Sequence, residues 1–362
     1  MPCPCLYNHL MFSTAQNLLK IARNDRRLQP RVALYHVTGQ CNLNCTYCED
    51  FGARRNATGD RPLPFEQVLH ILRVIRSGVD ALFLTGGEPL THPDIDRIVL
   101  QAKQAIGFRE VTLISNGLLL RQHEALLPAL DRLVVSLDSC EPASLSQATG
   151  ISRTLAGTIL TNIQNYAGLQ QVFGYRMIVN AVLTPETLPG AETLLDFCTE
   201  LGVLVSFSPQ AVNNWPRYEL TVSPAYRAFI EKLLRLKREG APILGSAAYL
   251  KTLRDMIPYD CYPTLAPRIY PNGDLAYPCR PFEKAANDQG GRPVNLLDAA
   301  SWEAAWEIAN AAYGQPPRAC ASCFQQCNAE ASLMASQPLA LLDEWLRYPA
   351  SRAGNLTTYT PG

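Results

Sequence analysis

Three cysteines lie within eight residues near the start of the chain, in the stretch "CNLNCTYC". Three residues separate Cys41 from Cys45, and two separate Cys45 from Cys48. A short loop with this spacing can present three thiolates to three corners of an iron-sulfur cubane, which leaves the fourth iron without a protein ligand. Structural zinc, with His36 as a fourth ligand, is the alternative. The spacing favours the cluster, because His36 precedes the loop at a strand position.

A second group of cysteines follows near the C-terminus, and it comprises Cys261, Cys279, Cys320, Cys323 and Cys327. Between the first two, "PNGD" is a hairpin signal between two β-like stretches, which brings both thiols toward one end of a small sheet. We predict a second metal centre with Cys261, Cys279, Cys320 and Cys323 as ligands. Cys327 is a fifth thiol that can replace one of them. Four thiolates also suit structural zinc, which is the alternative here.

Few other residues are candidates for chemistry. Arg280 and Glu283, in the stretch "CRPFE", are weak candidates at a position between the second metal centre and the main domain. An arginine there can anchor an anionic substrate, although a surface ion pair is an equal alternative. Cys140 and Cys198 stand apart from both cysteine groups and are predicted to be small hydrophobic residues of the core.

Strands and helices alternate regularly between residues 32 and 240. The predicted strands are "RVALYHVTG", "DALFLTGGEPL", "EVTLISNG", "RLVVSLDS", "YRMIVNAVLT" and "LVSFSPQ". Segments with helical periodicity separate them, and "RQHEALLPAL" is among the predicted helices. This alternation predicts an α/β fold with a parallel sheet and right-handed crossovers. About six βα units fit here, and they predict a closed or partly closed barrel that is followed by a small C-terminal α+β domain.

The loops after the first four strands carry polar residues and glycines. They contain the cysteine triplet, "TGGEP", "SNG" and "SLDS". Chemistry in such barrels occurs at the carboxyl ends of the strands, so these four loops are expected to converge at one mouth. Each glycine alone predicts only a tight turn, and it is the convergence that indicates a site.

Composition indicates a globular protein with a sizeable core. The chain has 362 residues, of which 47% are hydrophobic and 18% charged. Its 32 basic residues balance 32 acidic ones, so the net charge gives no indication of a nucleic-acid partner. A secretory signal and an apolar run of roughly 18 residues are both missing, which predicts a cytoplasmic protein. The stretch Phe12–Arg27 predicts an amphipathic helix packed on its own domain, with peripheral membrane contact as the alternative.

Four segments are predicted from these patterns. Residues 1–31 form an N-terminal helical extension, and residues 32–245 form the partial barrel. Residues 246–335 form the auxiliary cluster domain, and residues 336–362 form a C-terminal helix and tail.

The cysteine triplet and the glycine loop together resemble the motifs of a known family. "CNLNCTYC" resembles the CxxxCx(aromatic)C signature of radical S-adenosylmethionine enzymes, with Tyr47 as the aromatic residue. "GGEP" resembles their motif for the amino group of S-adenosylmethionine, and "SNG" and "SLD" are similar to later loops that contact its ribose and methionine parts. The cofactor-binding residues that this resemblance implies are Tyr47, Gly86, Gly87, Glu88, Pro89, Ser115, Asn116, Ser136 and Asp138.

The resemblance implies a partial (β/α)6 TIM-like barrel with a small C-terminal α+β cluster-binding domain. It also implies two bound cofactors and a radical mechanism. A [4Fe-4S] cluster on the first three cysteines would chelate S-adenosylmethionine through its open iron. An electron from a flavodoxin- or ferredoxin-type donor would then produce a 5'-deoxyadenosyl radical, which abstracts a substrate hydrogen. The protein itself would orient the substrate and exclude water. Glu88, as a buried acceptor, suits the amino group of S-adenosylmethionine.

The late cysteines resemble the SPASM and twitch extensions of the same family. A full SPASM domain holds two auxiliary clusters with seven motif cysteines. The five cysteines here therefore favour a twitch-like domain with one auxiliary [4Fe-4S] cluster. This cluster would relay electrons, stabilise the small domain or, with an open iron, ligate substrate.

The expected function is that of a radical SAM oxidoreductase or transferase. It would oxidise a peptide or small metabolite or form a bond on it. Modification of a sugar or lipid precursor is an alternative. A non-catalytic iron-sulfur electron carrier or a metal-stabilised binding module is the alternative from another class. The stretch "SLDSCEPASLSQATG" resembles the corresponding loop of the GTP cyclising enzymes of molybdenum-cofactor synthesis. The late cysteines are spaced differently from theirs, so that reaction is not assigned here.

Overall fold

Across the residues that the structure describes, a nine-stranded, mostly parallel sheet forms the centre of the protein. The computed structural model describes residues 16–49, 51, 61–212, 215–279, 294–315, 323–337, 339, 344 and 346. The strands are, in chain order, β1 (Ala33–His36), β2 (Ala81–Thr85), β3 (Glu110–Ser115), β4 (Arg132–Ser136), β5 (Arg176–Leu183), β6 (Leu204–Pro209), β7 (Ala211–Val212), β8 (Trp215–Pro216), β9 (Arg268–Ile269), β10 (Asp274–Ala276) and β11 (Val294–Asn295). Strands β7 and β8 form a separate antiparallel pair.

Helices connect the strands. They are α1 (Phe65–Arg76), α2 (Ile95–Gln104), α3 (Pro142–Thr149), α4 (Arg153–Gly168), α5 (Gln170–Phe173), α6 (Ala191–Glu200), α7 (Tyr218–Thr221), α8 (Pro224–Arg238), α9 (Ala247–Asp255), α10 (Trp302–Tyr313) and α11 (Gln326–Ser336). Short 3-10 turns cover Pro89–Thr91, Leu120–Gln122, Glu124–Ala129, Leu188–Gly190, Pro263–Leu265 and Leu296–Asp298.

The strand order confirms the predicted fold class. The sheet runs β11-β10-β9-β1-β2-β3-β4-β5-β6, and β1 through β6 are parallel. Helices follow these strands as crossovers, so the carboxyl ends of the strands meet at one rim. Among the described strands, β11 and β6 stand at opposite edges and are not paired with each other. The architecture is therefore an open, partial TIM-like barrel.

The two faces of the parallel strands differ in their packing. Side chains on the outer face, such as Leu82, Leu113 and Val135, belong to the main hydrophobic core that also contains the helices. The alternate side chains line the inner, concave face and lie outside that core cluster. The apolar members of the inner face include Leu34, Phe83, Ile114, Val134, Ile178 and Leu204.

One predicted helix is wrong. The segment "RQHEALLPAL" forms two 3-10 turns, Leu120–Gln122 and Glu124–Ala129, rather than an α-helix. Pro128 lies inside the second turn. Proline has no N–H to donate, and its ring clashes with the carbonyl group four residues earlier in an α-helix, so the tighter turn replaces the regular helix here.

The C-terminal hairpin predicted at "PNGD" is present, and it continues the main sheet. Strand β9 pairs with β1 in parallel, with Leu34 opposite Arg268, and β10 returns antiparallel to β9. The turn closes through the N–H of Tyr270, which donates to the carbonyl oxygen of Asp274 at 2.8 Å. The α+β character of this region is thus observed. The boundaries at residues 245 and 335 remain predictions.

Part of the predicted N-terminal helix is described, and residues 16–22 are helical. The amide of Asn17 exchanges two hydrogen bonds with the backbone of Gln29, at 3.0 and 2.8 Å. Ile21 packs against a small cluster that includes Tyr262 and Leu265. This segment therefore packs on its own protein, as predicted. Across the described residues, no helix combines the length and apolarity needed to cross a membrane.

Candidate functional site

The loop that carries the first cysteine triplet follows β1 at the rim of the sheet. Cys41, Cys45 and Cys48 are all half-buried. Burial raises the pKa of Cys41 to about 11 and that of Cys45 to about 12. Negative charges nearby, including those of Glu88 and Asp138 and of the other thiolates, raise both pKa values further. Neutral thiols are favoured in the bare loop, and a bound metal would deprotonate them.

The arrangement of potential metal ligands suits a cluster. Over the described part of the chain, no three His, Cys, Asp or Glu side chains converge on a single ion position. The three thiolates of a cubane bind three different irons and do not need to converge on one point. Half-buried thiols on a short loop at the rim fit this requirement.

The "GGEP" loop after β2 is joined to the residues that lead into the cysteine loop. The N–H of Gly87 donates to the carbonyl oxygen of Thr38 at 2.9 Å, and the N–H of Glu88 donates to that of Gln40 at 2.8 Å. A Cβ atom on Gly86 would lie 2.5 Å from the Thr38 oxygen, and one on Gly87 would lie 2.2 Å from the Gln40 oxygen. Only glycine permits so close an approach of two backbones.

Glu88 is buried beneath this junction, with 1% of its surface exposed. Its Oε1 accepts hydrogen bonds from the N–H of Leu90 at 3.0 Å and from the hydroxyl group of Ser115 at 2.9 Å. Its Oε2 accepts one from the N–H of Asn116 at 2.7 Å. Burial raises the pKa of Glu88 to about 7, while these donors act in the opposite direction. Pro89 begins the 3-10 turn that follows.

The "SNG" loop therefore contacts the neighbouring loops directly. Besides supporting Glu88, Asn116 donates through its Nδ2 to the Oδ1 of Asn42 at 2.7 Å. Asn42 lies inside the cysteine loop, between Cys41 and Cys45. Sequence reasoning missed Asn42, because a polar loop residue carries no signal of its partner 74 residues away. Loops after β1, β2 and β3 thus form one hydrogen-bonded unit.

Asp138 of "SLDS" contacts the cysteine loop from the opposite side. The hydroxyl group of Tyr47 donates to its Oδ2 at 2.6 Å, and the N–H of Val182 donates to its Oδ1 at 2.8 Å. Burial raises the pKa of Asp138 to about 6. Ser136, by contrast, lies on the inner face beside Asn180. The structure thus gathers the predicted residues of all four loops at one rim.

Polar residues on β5 and β6 extend this site along the inner face. The hydroxyl group of Ser206 donates to the Oδ1 of Asn180 at 2.8 Å. Both residues occupy inner-face positions of apolar strands, and the sequence analysis did not single them out. Asn180 and Ser206 alternate with buried apolar residues along their strands, and this alternation could have identified them as inner-face residues.

Cys261 and Cys279 lie toward the other end of the sheet. Because β9 is parallel to β1 and β10 returns antiparallel, residues before β9 and residues after β10 lie on the amino-terminal side. Cys261 is buried, and its carbonyl oxygen accepts a hydrogen bond from the Nη2 of Arg26 at 2.9 Å. Its Sγ is 4.0 Å from the Oγ of Ser332 on α11.

Cys323 and Cys327 lie at the beginning of α11, the same helix that contacts Cys261. The hydroxyl group of Tyr259 donates to the carbonyl oxygen of Cys323. Burial raises the pKa of the Cys327 thiol, although the nearby charge of Arg268 lowers it. Cys320, Arg280 and Glu283 lie outside the described residues.

Comparison with curated proteins identifies similar enzymes. The chain is 33% identical over 221 residues to a GTP 3',8-cyclase of Mycobacterium marinum, which covers 58% of this chain and 59% of that protein. It is 36% identical over 154 residues to a GTP 3',8-cyclase of Staphylococcus saprophyticus, which covers 41% of this chain and 44% of the other. The chain thus spans less than two thirds of the length of these relatives.

Solved structures share the fold at low sequence identity. SuiB of Streptococcus suis aligns with a TM-score of 0.58 at 18% identity, over 78% of this chain and 68% of the other. The protein anSMEcpe with bound AdoMet aligns with a TM-score of 0.56 at 13% identity, over 90% of this chain and all of the other (100%).

A family match covers the strands and loops that build the candidate site. Residues 35–172 match the Radical SAM superfamily and include the cysteine triplet, "GGEP", "SNG" and "SLD". The family implies a [4Fe-4S] cluster and S-adenosylmethionine, and the half-buried thiols and the buried Glu88 fit both. Over residues 35–172 this chain is therefore similar to the radical SAM superfamily.

Proposed function

We propose that this protein is an enzyme that cleaves S-adenosylmethionine reductively and removes a hydrogen atom from a substrate. The observation that carries the proposal is the junction of the cysteine loop with the "GGEP" loop over a buried Glu88. Cys41, Cys45 and Cys48 would hold the [4Fe-4S] cluster. When bound and reduced, this cluster supplies the electron that splits the sulfonium and yields a 5'-deoxyadenosyl radical.

Glu88 would orient S-adenosylmethionine through its amino group. A carboxylate offers about four acceptor positions, and among the described residues three donors occupy three of them. One position is therefore left for a donor from the ligand. The remaining residues that the family resemblance implies, Tyr47, Gly86, Gly87, Pro89, Ser115, Asn116, Ser136 and Asp138, line or support the same rim.

The substrate would bind over the inner face of the sheet, below this rim. Apolar side chains such as Phe83, Val134 and Ile178 alternate with the polar pair of Asn180 and Ser206. Such a mixed surface suits a peptide segment or a small metabolite, and it would keep water from the reacting hydrogen. Oxidation and bond formation are both compatible with it, as is a sugar or lipid precursor.

A second centre near α11 would hold an auxiliary [4Fe-4S] cluster. We propose Cys261, Cys279, Cys320 and Cys323 as its ligands, with Cys327 as an alternative to one of them. The approach of Cys261 to the helix that begins near Cys323 supports a common site. The twitch-like domain would then cover residues 246–335, after the barrel of residues 32–245. A flavodoxin- or ferredoxin-type donor in the cytoplasm would supply the electrons.

GTP is a second candidate substrate, because the similar curated enzymes are GTP 3',8-cyclases. Two arginines begin β4 and β5 on the inner face. Arg132 pairs with Glu110 at 2.6 Å, and the nearby charge of Arg132 together with burial lowers the pKa of Arg176. These guanidinium groups can bind phosphate. The apolar side chains of Val134 and Ile178 lie one step nearer the rim, so a triphosphate would extend along hydrocarbon.

The decisive test uses the full chain after anaerobic reconstitution. With dithionite and S-adenosylmethionine, the protein should release 5'-deoxyadenosine, and a Cys45→Ala variant should release none. A fully loaded first cluster that yields no 5'-deoxyadenosine would favour the non-catalytic electron carrier. Adding GTP tests the second candidate, because a cyclase would consume it in proportion to the 5'-deoxyadenosine formed.

A further inference from the structure

The segment from Asp138 to Gly150 contacts the cysteine loop at both of its own ends. At the first end, Asp138 accepts a hydrogen bond from the hydroxyl group of Tyr47 at 2.6 Å. At the second end, the carbonyl oxygens of Thr149 and Ala148 accept hydrogen bonds from the backbone N–H groups of Asn44 and Thr46, at 2.9 and 3.0 Å. The loop is thus fixed from two directions by one stretch of chain.

The local sequence explains why α3 can make the second contact. The last carbonyl groups of an α-helix have no partner within the helix. Here the carbonyl oxygens of Ala148 and Thr149 accept hydrogen bonds from backbone N–H groups of the cysteine loop. Gly150 ends the helix with a left-handed φ of 70°, and its N–H donates to the carbonyl oxygen of Ser146.

Gly150 also lets the two segments approach each other closely. A Cβ atom at this position would lie 3.0 Å from the carbonyl oxygen of Asn44. The obstacle is backbone, which cannot rotate away as a long side chain does. Any larger residue at position 150 must therefore push the cysteine loop or shift the end of α3.

Both carboxylate oxygens of Asp138 form hydrogen bonds with other groups of the protein. Its two oxygens accept hydrogen bonds from the Tyr47 hydroxyl group and from the N–H of Val182. Since Val182 belongs to β5, the carboxylate ties the cysteine loop to the parallel part of the sheet. This differs from direct contact with S-adenosylmethionine, the role that the family resemblance implies for Asp138.

We infer that Asp138 and the C-terminal turn of α3 form a brace that sets the position of the cysteine loop. In this account Asp138, Ala148, Thr149 and Gly150 are positioning residues, and Tyr47 is the point through which Asp138 acts. The inference rests on the proposed function, because the loop is taken to hold the cluster that binds S-adenosylmethionine. The brace controls the distance between that cluster and the Glu88 pocket.

A pair of glycine variants tests the α3 contact. Gly150→Ala and the control Gly174→Ala both introduce a side chain at a left-handed helix end, with φ of 70° and 81°. Of the two, Gly150 faces another segment, whereas no described residue lies within 4 Å of a Cβ on Gly174. In the reconstituted full chain, Gly150→Ala should speed hydrogen exchange at the Asn44 and Thr46 amides, and Gly174→Ala should leave it unchanged. Equal hydrogen-exchange rates at these two amides in both variants would contradict the proposed role of the α3 contact.

A second set of variants tests the Asp138 contact. Tyr47→Phe and Asp138→Ala should each weaken S-adenosylmethionine binding about 10- to 100-fold, the range for residues that orient metal ligands. The double variant should be no worse than Asp138→Ala, because both changes remove the same bond. Asp138→Asn should restore part of the affinity, since an amide can still accept from Val182 and donate to Tyr47. If Tyr47→Phe binds normally while Asp138→Ala does not, Asp138 is a direct ligand and the brace is refuted.

A spectroscopic readout separates positioning from simple loss of stability. The brace variants should keep their iron and sulfide content, yet show an altered electron paramagnetic resonance signal when S-adenosylmethionine is added to the reduced protein. If Gly150→Ala gives the same signal as the wild-type protein in the presence of S-adenosylmethionine, the inference is contradicted. The exchange measurement needs no S-adenosylmethionine, so it judges the brace even if the wild-type protein fails to bind this ligand and the proposed function is wrong.

Discussion

The carboxylate of Glu88 lies where the loops after β1, β2 and β3 meet. It is held by donors from two of those loops, and its own N–H donates to the loop that leads into the cysteines. A buried carboxylate with several donors is fixed in orientation, so it can select a ligand group by geometry as well as by charge. At this scale the site consists of one oriented acceptor beside three thiols.

Replacing Glu88 with Gln should weaken S-adenosylmethionine binding by about 2 kcal/mol, because a hydrogen bond to a charged acceptor becomes a neutral one. Burial holds the pKa of Glu88 at about 7. The wild-type affinity should therefore rise as the pH increases from about 6 to about 8 and the carboxylate ionises. The variant should show no such rise. Isothermal titration at several pH values measures both, and parallel profiles would contradict this role.

The sequence predicted the individual residues of the site better than their partners. Glycines at positions 86 and 87 and the acid at 88 form a local motif, and their conformation follows from close backbone approach. The bond between Tyr47 and Asp138 joins residues 91 positions apart, and neither residue type indicates the other. Contacts of this kind depend on the register of β1, β4 and β5, which only the folded sheet determines.

Most strands and helices could be predicted from hydrophobic periodicity. The elements that were missed have local causes. The six parallel strands and the long helices α1, α4 and α8 carry strong apolar patterns. Helix α3 was missed because its eight residues, "PASLSQAT", bury only three side chains and show little amphipathic character. The pairing of β9 with β1 was missed because β9 has two residues and its partner is more than 200 positions away.

Helix α10 illustrates how the C-terminal region is attached to the barrel. Trp302 at its first turn is buried. The backbone N–H of Trp302 donates to the hydroxyl group of Ser77 at 2.8 Å. Its ring lies against Gly78, where a Cβ atom would come within 2.5 Å of it. Trp306 packs one turn later, with ring centroids 6.2 Å apart. The two tryptophans of α10 therefore serve packing against the barrel and against each other.

Truncating Trp302 should therefore destabilise the protein. Trp302→Ala is expected to cost about 3 to 5 kcal/mol, the range for removing a large buried side chain. Ile308→Ala on the same helix is the control, because Ile308 is 49% exposed and its loss should cost less than about 1 kcal/mol. Urea unfolding of the full chain measures the difference. Similar midpoints for the two variants would mean that α10 does not anchor the hairpin region.

At the scale of the whole molecule, the first cysteine group and the pair of Cys261 and Cys279 lie toward opposite ends of the sheet. The first group follows the carboxyl end of β1, whereas Cys261 and Cys279 lie on the amino-terminal side of the hairpin. The inner face of the barrel lies between these ends. A substrate bound over that face would have one predicted cluster toward each side, which suits electron transfer from either direction.

If the two clusters form independently, removing the ligands of one cluster should not change the iron content of the other. Replacing Cys41, Cys45 and Cys48 together with Ala should leave about four of an expected eight irons after reconstitution, because the auxiliary ligands are untouched. Replacing Cys261 and Cys323 should likewise remove only the auxiliary cluster. Iron and sulfide analysis distinguishes these cases. Loss of all iron in the first variant would show that the two sites do not form separately.

The most direct measurement of the central claim is the effect of S-adenosylmethionine on the first cluster. It uses the Cys261→Ala/Cys323→Ala variant, in which only the cluster on Cys41, Cys45 and Cys48 should remain. The account predicts that adding S-adenosylmethionine to the reduced protein changes the electron paramagnetic resonance signal, because the ligand binds the iron without a cysteine. A fully loaded cluster whose signal is indifferent to S-adenosylmethionine would contradict the account.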